Sequence, residues 1–367
     1  MRDISSLELK IISKELAPFI NGSRIRKLYF LGEESFRITF YKDNKTLHLY
    51  IKLLKTINST NYTEGAQEPN GFVMGLRKRL ENRVVNSIEQ KGSDRILQIS
   101  IGKEHFLLIF EMLAKGNAIL LDEFMKIELS FKSLEFSDRI IKTGHDYKYP
   151  KGDSLSLEEA SVKINDILDE LGSDKIISIL SRKINLGPLY IEDILNRSGV
   201  DPKSKIISEA DKTKISKELS LLSKRLSEEK PRVYLKSDAI FDYAVCEIIK
   251  YKDLESKSFE TLNETLDFIY LKERSLITDT GKAERIKESQ LNIEKQEKLA
   301  VSLLQGSKEN AAIGKKIFEN MNIINGAIAY IQKNKRATLD ELKANFPELN
   351  IKKLDLKSKT FTITLDD

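Results

Sequence analysis

The stretch GFVMGLRKRLENRVVNSIEQKGSDRILQI, residues 71–99, sets the pattern from which the rest of the chain is read. Phe72, Leu76 and Leu80 recur at helical spacing, so residues 70–83 are expected to form a helix. VVNSIEQ (84–90) and DRILQISIG (94–102) are strand-like and meet at a Gly92-Ser93 turn. Upstream, RIRKLYFLG, ESFRITFY and LHLYIKL are three further strand candidates separated by Gly or Asp-Asn. Before them Ile4, Leu7, Ile11, Ile12 and Leu16 mark an amphipathic helix over 4–20, stopped by Asn21-Gly22. Downstream, HFLLIFEML turns at Lys115-Gly116-Asn117 into AILLD. Residues 1–150 therefore read as one α+β domain with mostly antiparallel, meander-like connections.

The remainder is predominantly helical. Residues 151–230 read as a helical domain in which a tight Leu186-Gly187-Pro188 turn leads into a helix through Ile191, Ile194 and Leu195, closed by Gly199. Such a helix–turn–helix has the local form of a helix-hairpin-helix, whose turn amides at Leu186, Gly187 and Leu189 could hold a phosphate. A plain αα-hairpin is the other reading, and Pro188 removes one donor. Residues 231–275 (PRVYL, AIFDYAVCEII, TLNETLDFIYL) form a small α+β cap that completes the N-terminal unit. Residues 282–335 form a long charged helix, loosened near Gly306 and Gly314. There Ile317, Met321, Ile324, Ile328 and Ile331 step by four and three as a coiled-coil seam. Residues 336–367 read as a short helix and two strands, the tip of that arm.

Composition narrows the function. At 367 residues the chain is too long for one ordinary core, and 32% charged residues suit long solvated helices. One cysteine, Cys246, excludes an internal disulfide framework and any Cys-based zinc finger, and it reads as a buried thiol in an apolar strand. His48, His105 and His145 are too scattered for a His-rich metal site, so no metal or cofactor is expected. No window approaches the roughly 18 to 20 apolar residues of a membrane span. With no signal-peptide pattern at the amino terminus either, a soluble cytoplasmic protein is expected. P-loop, G-x-S-x-G, G-x-G-x-x-G and H-E-x-x-H motifs are absent.

The net charge is only +5, yet residues 70–95 carry six cations against three anions. Arg77, Lys78 and Arg79 are consecutive on a helix and fan over more than a quarter turn, which suits phosphate geometry. A solvated helix face is the alternative. Asp94-Arg95 follows the Gly92-Ser93 turn, where Asp can brace the backbone while Arg presents its planar fork outward. Glu111 lies in an otherwise apolar strand and needs a partner, either an internal salt bridge or a positioning contact.

Taken in order, ISSLELKIISKEL…NGSRIRKLY, GFVMGLRKRLENRVVNSIEQKGSDRI, FEMLAKGNAILLD, GHDYKYP, INLGPLYIEDILNRSGVD and FETLNETLDFIYLKER give residues 1–335 a collinear resemblance to the NFACT proteins. These are the Rqc2/NEMF/RqcH group, also known as fibronectin-binding protein A homologues. The resemblance implies a glycosylase-like N-terminal domain, a helix-hairpin-helix domain and a coiled-coil arm. It implies a non-enzymatic factor of ribosome-associated quality control. Such a factor binds the large ribosomal subunit carrying an obstructed peptidyl-tRNA and recruits aminoacyl-tRNA, so that the stalled chain receives an untemplated C-terminal tail. By position, the family's tRNA-contact pair falls on Asp94 and Arg95, and its first-helix acid, usually Asp, on Glu8. The block after the strand falls on Glu111, Met112 and Leu113. Arg77, Lys78 and Arg79, together with Lys115 and Asn117, complete the expected RNA-binding set. Gly75 stands where a larger apolar residue is commoner.

Family members continue past the arm to a C-terminal RNA-binding domain, so this sequence reads as their N-terminal half. Its half coil is expected to pair with a neighbouring copy as a homodimer, and the arm to reach toward a ubiquitin ligase or degradation factor in eukaryotic relatives. Two rivals remain. A DNA glycosylase of the formamidopyrimidine class uses an N-terminal Pro followed by Glu, where this sequence has Met1-Arg2-Asp3. A fibronectin-binding adhesin would call for export, against which the absence of a signal-peptide pattern counts.

Overall fold

A computed structural model of the protein describes residues 2–367 except 64, 151, 153, 171, 356–357 and 365–367, and leaves out the side chains of 276–292, 294 and 299. Helix α1 (Ser6–Ile20) begins at a capping box in which Ser5 Oγ accepts from the Glu8 amide and Glu8 accepts from the Ser5 amide. Gly22, with φ 78°, takes the left-handed turn that lets the chain leave α1 for the first sheet. That sheet is an antiparallel meander of β1 (Arg24–Gly32), β2 (Ser35–Lys42), β3 (Lys45–Lys52) and β4 (Thr56–Thr60). Strand β4 has the sequence TINST, with a single apolar residue, and so escapes an alternation test.

Helix α2 (Gly71–Leu80) is capped by Asn70 and buries Phe72, Val73, Leu76 and Leu80. The second sheet follows as a five-stranded antiparallel meander: β5 (Val85–Gln90), β6 (Ile96–Ile101), β7 (Phe106–Glu111), β8 (Asn117–Leu121) and β9 (Ile127–Ser130). The short pair β10 (Leu134–Glu135) and β11 (Ile140–Ile141) completes this region. The sheets join where Arg24 bridges Val84 and Val85 exchanges backbone hydrogen bonds with Gly22 and Ser23. Leu97, Leu108, Phe110, Ala118 and Leu120 face a core shared with the first sheet, α1 and α2. Their alternates Ile96, Ile109, Ile119 and Leu121 face a second core closed by Ile141 and Tyr147. Burial on both faces explains why FLLIF and AILLD read as unbroken apolar runs.

The helices α3 (Leu157–Asp169), α4 (Ile176–Lys183), α5 (Pro188–Ser198) and α6 (Glu209–Glu228) and the sheet of β12 (Arg232–Lys236), β13 (Ala239–Ala244) and β14 (Glu255–Ser258) complete the first unit, residues 1–275. Residues 151–230, expected as a separate helical domain, and 231–275, expected as a cap completing the N-terminal unit, contribute to the same apolar core as residues 1–150. Cys246 is buried as expected, in a bend just after β13 instead of in the strand, and burial pushes its thiol up to about 12.

The second unit comprises residues 276–367. Helix α7 (Leu262–Glu319) continues into it from the first. It does not loosen at Gly306 or Gly314, which lie inside the helix with open space around them. The expected seam is interrupted at Asn320, where α8 (Met321–Lys333) begins. Ile317 and Met321 are exposed, whereas Ile324 and Ile331 pack against α9 (Leu339–Asn345) and the hairpin of β15 (Asn350–Asp355) and β16 (Thr360–Thr364). The stripe read as a coiled-coil seam is thus partly the core of a small local module. No helix among the described residues is long and apolar enough to cross a membrane.

Two residues expected at an RNA surface, Glu111 and Asn117, and Met112 beside them lie inside the protein. Glu111 is 2% exposed and is held by both terminal nitrogens of Arg139, one at 3.2 Å, and by the Tyr147 hydroxyl at 2.8 Å. This settles its role as an internal salt bridge. Asn117 is fully buried, accepts from the Ala118 and Lys132 amides and donates to the Lys132 carbonyl. Met112, also fully buried, belongs to the shared core and pairs its amide with the Arg95 carbonyl at 2.7 Å. Replacing Arg139 by Met leaves Glu111 buried without its cation. The expected loss is about 3–5 kcal/mol in urea denaturation, most of it recovered in the Glu111→Leu/Arg139→Met double variant.

Candidate nucleic-acid interface at the Asp94–Arg95 turn

The turn between β5 and β6 is closed by the Asp94 amide donating to Lys91 O at 3.1 Å and the Lys91 amide donating to Ile96 O at 2.9 Å. Three side chains from outside the turn then moor it. Ser6 Oγ, in the first turn of α1, and Asn185 Nδ2, beside the helical hairpin, both donate to the Ser93 carbonyl. Gln90 Nε2 donates to Asp94 O at 2.7 Å and to Ser6 Oγ at 2.8 Å. Asn185 also reaches Asp94 Oδ1 at 3.4 Å, and burial raises the Asp94 carboxyl above its ordinary value. The side chain of Arg95 is 30% exposed. Its Nη1 donates to Ile4 O at 3.3 Å and lies 3.8 Å from Asp3 Oδ2, while its other side-chain nitrogens have no partner among the described residues. The arrangement is a rigid backbone turn presenting one partly desolvated carboxylate and one guanidinium fork. It can accept from a hydroxyl or amine and donate to a phosphate at adjacent positions.

Glu8 does not reach this surface. It is fully buried and accepts from Arg2 Nη1 at 3.0 Å, Arg2 Nη2, Tyr190 Oη at 2.6 Å, Tyr243 Oη at 3.2 Å and the Ser5 amide at 2.7 Å. Burial alone would raise its pKa, but the charge and hydrogen bonds of Arg2, with Tyr190 and Ser5, hold it below the ordinary value. Glu8 therefore positions the segment next to the turn and is not an RNA contact.

The basic helix differs from the expected fan. Arg77 Nε donates to Leu28 O at 2.8 Å, and Arg79 donates twice to Glu128 Oε2, at 3.2 and 3.1 Å. Arg83 pairs with Glu104. Only Lys78 of the consecutive three is fully exposed. The cause is local: Gly75 lets α2 settle on Leu129, where a Cβ would meet Cδ1 at 2.7 Å, and this brings Arg79 to Glu128 on the same strand. Lys115 is exposed on its turn, and Leu113 is half-buried against the second core.

The hairpin turn is a packing element. Leu186 and Leu189 are buried, and a Cβ on Gly187 (φ 97°) would sit 2.6 Å from Ser5 Cβ. Of the turn amides expected to cradle a phosphate, that of Leu186 donates to Ile184 O at 3.0 Å, and the hairpin's contribution to the Asp94–Arg95 turn is Asn185. Sequence reasoning missed Asn185, Gln90, Ser6 and Arg2, although Asn185 directly precedes the Leu186-Gly187 signal. Beside the turn a cleft of about 390 Å³ opens between α1, α3 and α6, lined by Ser6, Lys10, Lys14, Gln90, Ser93 and Asn185 among others. Lys10 pairs with Glu158 at 2.8 Å, and Lys14 is exposed without an ion-pair partner.

The chain has counterparts among known proteins. The family model described as NFACT N-terminal and middle domains matches residues 5–366, and the chain belongs to that family. It is 27% identical over 341 residues to the archaeal Rqc2 homolog aRqcH of Methanocaldococcus jannaschii, covering 88% of this chain and 51% of that protein. It is 32% identical over 127 residues to ribosome quality control complex subunit 2 of Saccharomyces cerevisiae, covering 34% of this chain and 12% of the yeast protein. The chain thus spans about half the length of the archaeal relative and less of the yeast one. Its fold resembles the crystal structure of the fibrinogen binding protein from Staphylococcus aureus, with a TM-score of 0.61 at 19% identity over 72% of this chain and 98% of that one.

Because Glu8 is depressed below 4.5, its stabilising contribution is complete above that value and is lost as pH falls through the lower folded-state value. Glu8→Gln is expected to lose about 3 kcal/mol at pH 7 in urea denaturation. The gap from wild type should stay constant down to about pH 4.5 and narrow only below it.

Proposed function

We propose that this chain is the tRNA-gripping N-terminal part of a non-catalytic factor of ribosome-associated quality control. It binds the large ribosomal subunit with its peptidyl-tRNA and recruits aminoacyl-tRNA for C-terminal tailing of the stalled chain, in the cytoplasm. Family membership and the names of the archaeal and yeast relatives support the pathway. The observation that carries the tRNA reading is the mooring of the Asp94–Arg95 turn. Ser6, Gln90 and Asn185 fix its backbone, and among the described residues Arg95 has side-chain partners only at Nη1. A guanidinium on a preorganised turn loses little entropy on meeting a phosphate, which is what a binding contact requires. The exposed side of α7, with Ile293, Val301, Leu304 and Phe318, is an apolar surface suited to helix pairing, either in the arm or with a second copy.

The test is tRNA binding by fluorescence anisotropy across a salt series. Arg95→Ala should weaken binding and reduce the slope of log K against log salt by about 0.9, the loss of one phosphate contact. Wild-type affinity in the variant at every ionic strength would overturn the assignment.

A further inference from the structure

The four strands of the first sheet carry seven Lys and Arg, three on β1, two on β2 and two on β3, and no Asp or Glu. The cross-strand register Lys27–Thr39–His48–Thr60 and Tyr29–Arg37–Tyr50–Asn58 puts these residues on the face away from the core, where Ile25, Leu28, Ile38 and Leu49 point. Half of that outer face is covered. Tyr270 of α7 stacks on Tyr50 with ring centroids 4.1 Å apart, and Asn263 bonds Ser59. Beyond it, Arg26 and Lys27 of β1 are exposed and Tyr29 and Tyr41 half-buried, while Arg37 of β2 is buried beneath them.

Here cations lie over tyrosine rings. Arg26 sits 4.5 Å from the Tyr41 centroid, and Lys27 and Arg37 sit 5.5 and 4.4 Å from that of Tyr29. Arg77 of α2 approaches the same Tyr29 ring at 5.8 Å. Arg24, Arg26, Lys27 and Lys45 are exposed and have no carboxylate partner among the described residues. Among the described residues, the nearby acids Glu33 and Glu34 pair with Lys52 at 3.2 Å and Lys132 at 2.6 Å, and Asp43 and Glu68 are exposed without an ion pair to these cations. A face that is merely solvated gains from cross-strand pairs of opposite charge, and this one has none. Cations interleaved with aromatic rings on a sheet are the chemistry that tracks an unpaired nucleic-acid strand, the cations on phosphates and the rings beside bases.

We infer that the outer face of β1 and β2, centred on Arg26, Lys27, Tyr29 and Tyr41, is a second RNA-binding surface, taking a single-stranded RNA backbone independently of the Asp94–Arg95 turn. The inference rests on the reading of this chain as an RNA-binding factor, but it uses a different sheet and different residues.

The experiment measures anisotropy of a labelled oligouridylate and of labelled tRNA with the full chain across a salt series. It compares wild type, Arg26→Gln/Lys27→Gln and Arg95→Ala. All three altered side chains are at least partly exposed, and thermal unfolding of each variant should match wild type. The double variant is expected to flatten the oligouridylate slope by about 1.4, two single-strand phosphate contacts, while Arg95→Ala leaves it at the wild-type value. A double variant that binds oligouridylate as wild type does overturns the inference. So does a wild-type chain that binds poly-glutamate as tightly as RNA, since the face would then serve an acidic protein. If Arg95→Ala has no effect on tRNA while the double variant loses oligouridylate, the turn assignment fails and this surface stands.

Discussion

The first unit depends on one buried carboxylate. Glu8 draws together Arg2 from the amino-terminal segment, Tyr190 from α5 and Tyr243 from β13. Arg2 in turn bonds Asp242 at 2.9 Å and the Tyr243 carbonyl at 2.9 Å, and the Val245 amide donates to the Tyr190 hydroxyl. A buried ion pair of this kind is weak evidence for net stability, because desolvation offsets much of the attraction. Its geometry is nevertheless restrictive. The two phenols and the guanidinium must arrive from three parts of the chain for the carboxylate to be tolerated at all, so the helical hairpin and the cap are fixed to the start of α1. The same stretch of chain holds Ser5 against Gly187 and Ser6 against Ser93, and the Asp94–Arg95 turn inherits its position from this packing.

The sequence made the elements legible where burial follows a simple period. Phe72, Leu76 and Leu80 on α2 and the runs FLLIF and AILLD on β7 and β8 lie as their spacing implies. Local pattern failed where a partner is distant in the chain. The Glu111 strand shows that a partner is required but not that it is Arg139, since pairing depends on a loop folding back over the second face of the sheet. Ile324 and Ile331 show the converse: a correct helical stripe buried against a neighbouring hairpin has the same periodicity as a coiled-coil seam.

The candidate site was only half legible for a related reason. Asp94 and Arg95 stand out on a turn, but the groups that make the turn rigid are Gln90, Ser6 and Asn185, polar residues of no special pattern. Charge counting also misled. The densest basic segment, 70–95, has Arg77 on a carbonyl, Arg79 on Glu128 and Arg83 on Glu104, whereas the less conspicuous cations of β1 lack carboxylate partners among the described residues. A run of arginine in sequence measures charge supply; only the fold decides how much stays unneutralised.

Helix α1 carries a second carboxylate, Glu15, seven residues and about two turns beyond Glu8. Glu15 accepts from the Leu262 and Asn263 amides at 3.0 and 2.8 Å, closing the amino-terminal turn of α7. One end of α1 therefore anchors the Asp94–Arg95 turn and the other end anchors the root of the long helix. The same root of α7 is held by the first sheet, where Asn263 bonds Ser59 and Tyr270 stacks on Tyr50, so α1 and that sheet brace the start of the long helix together.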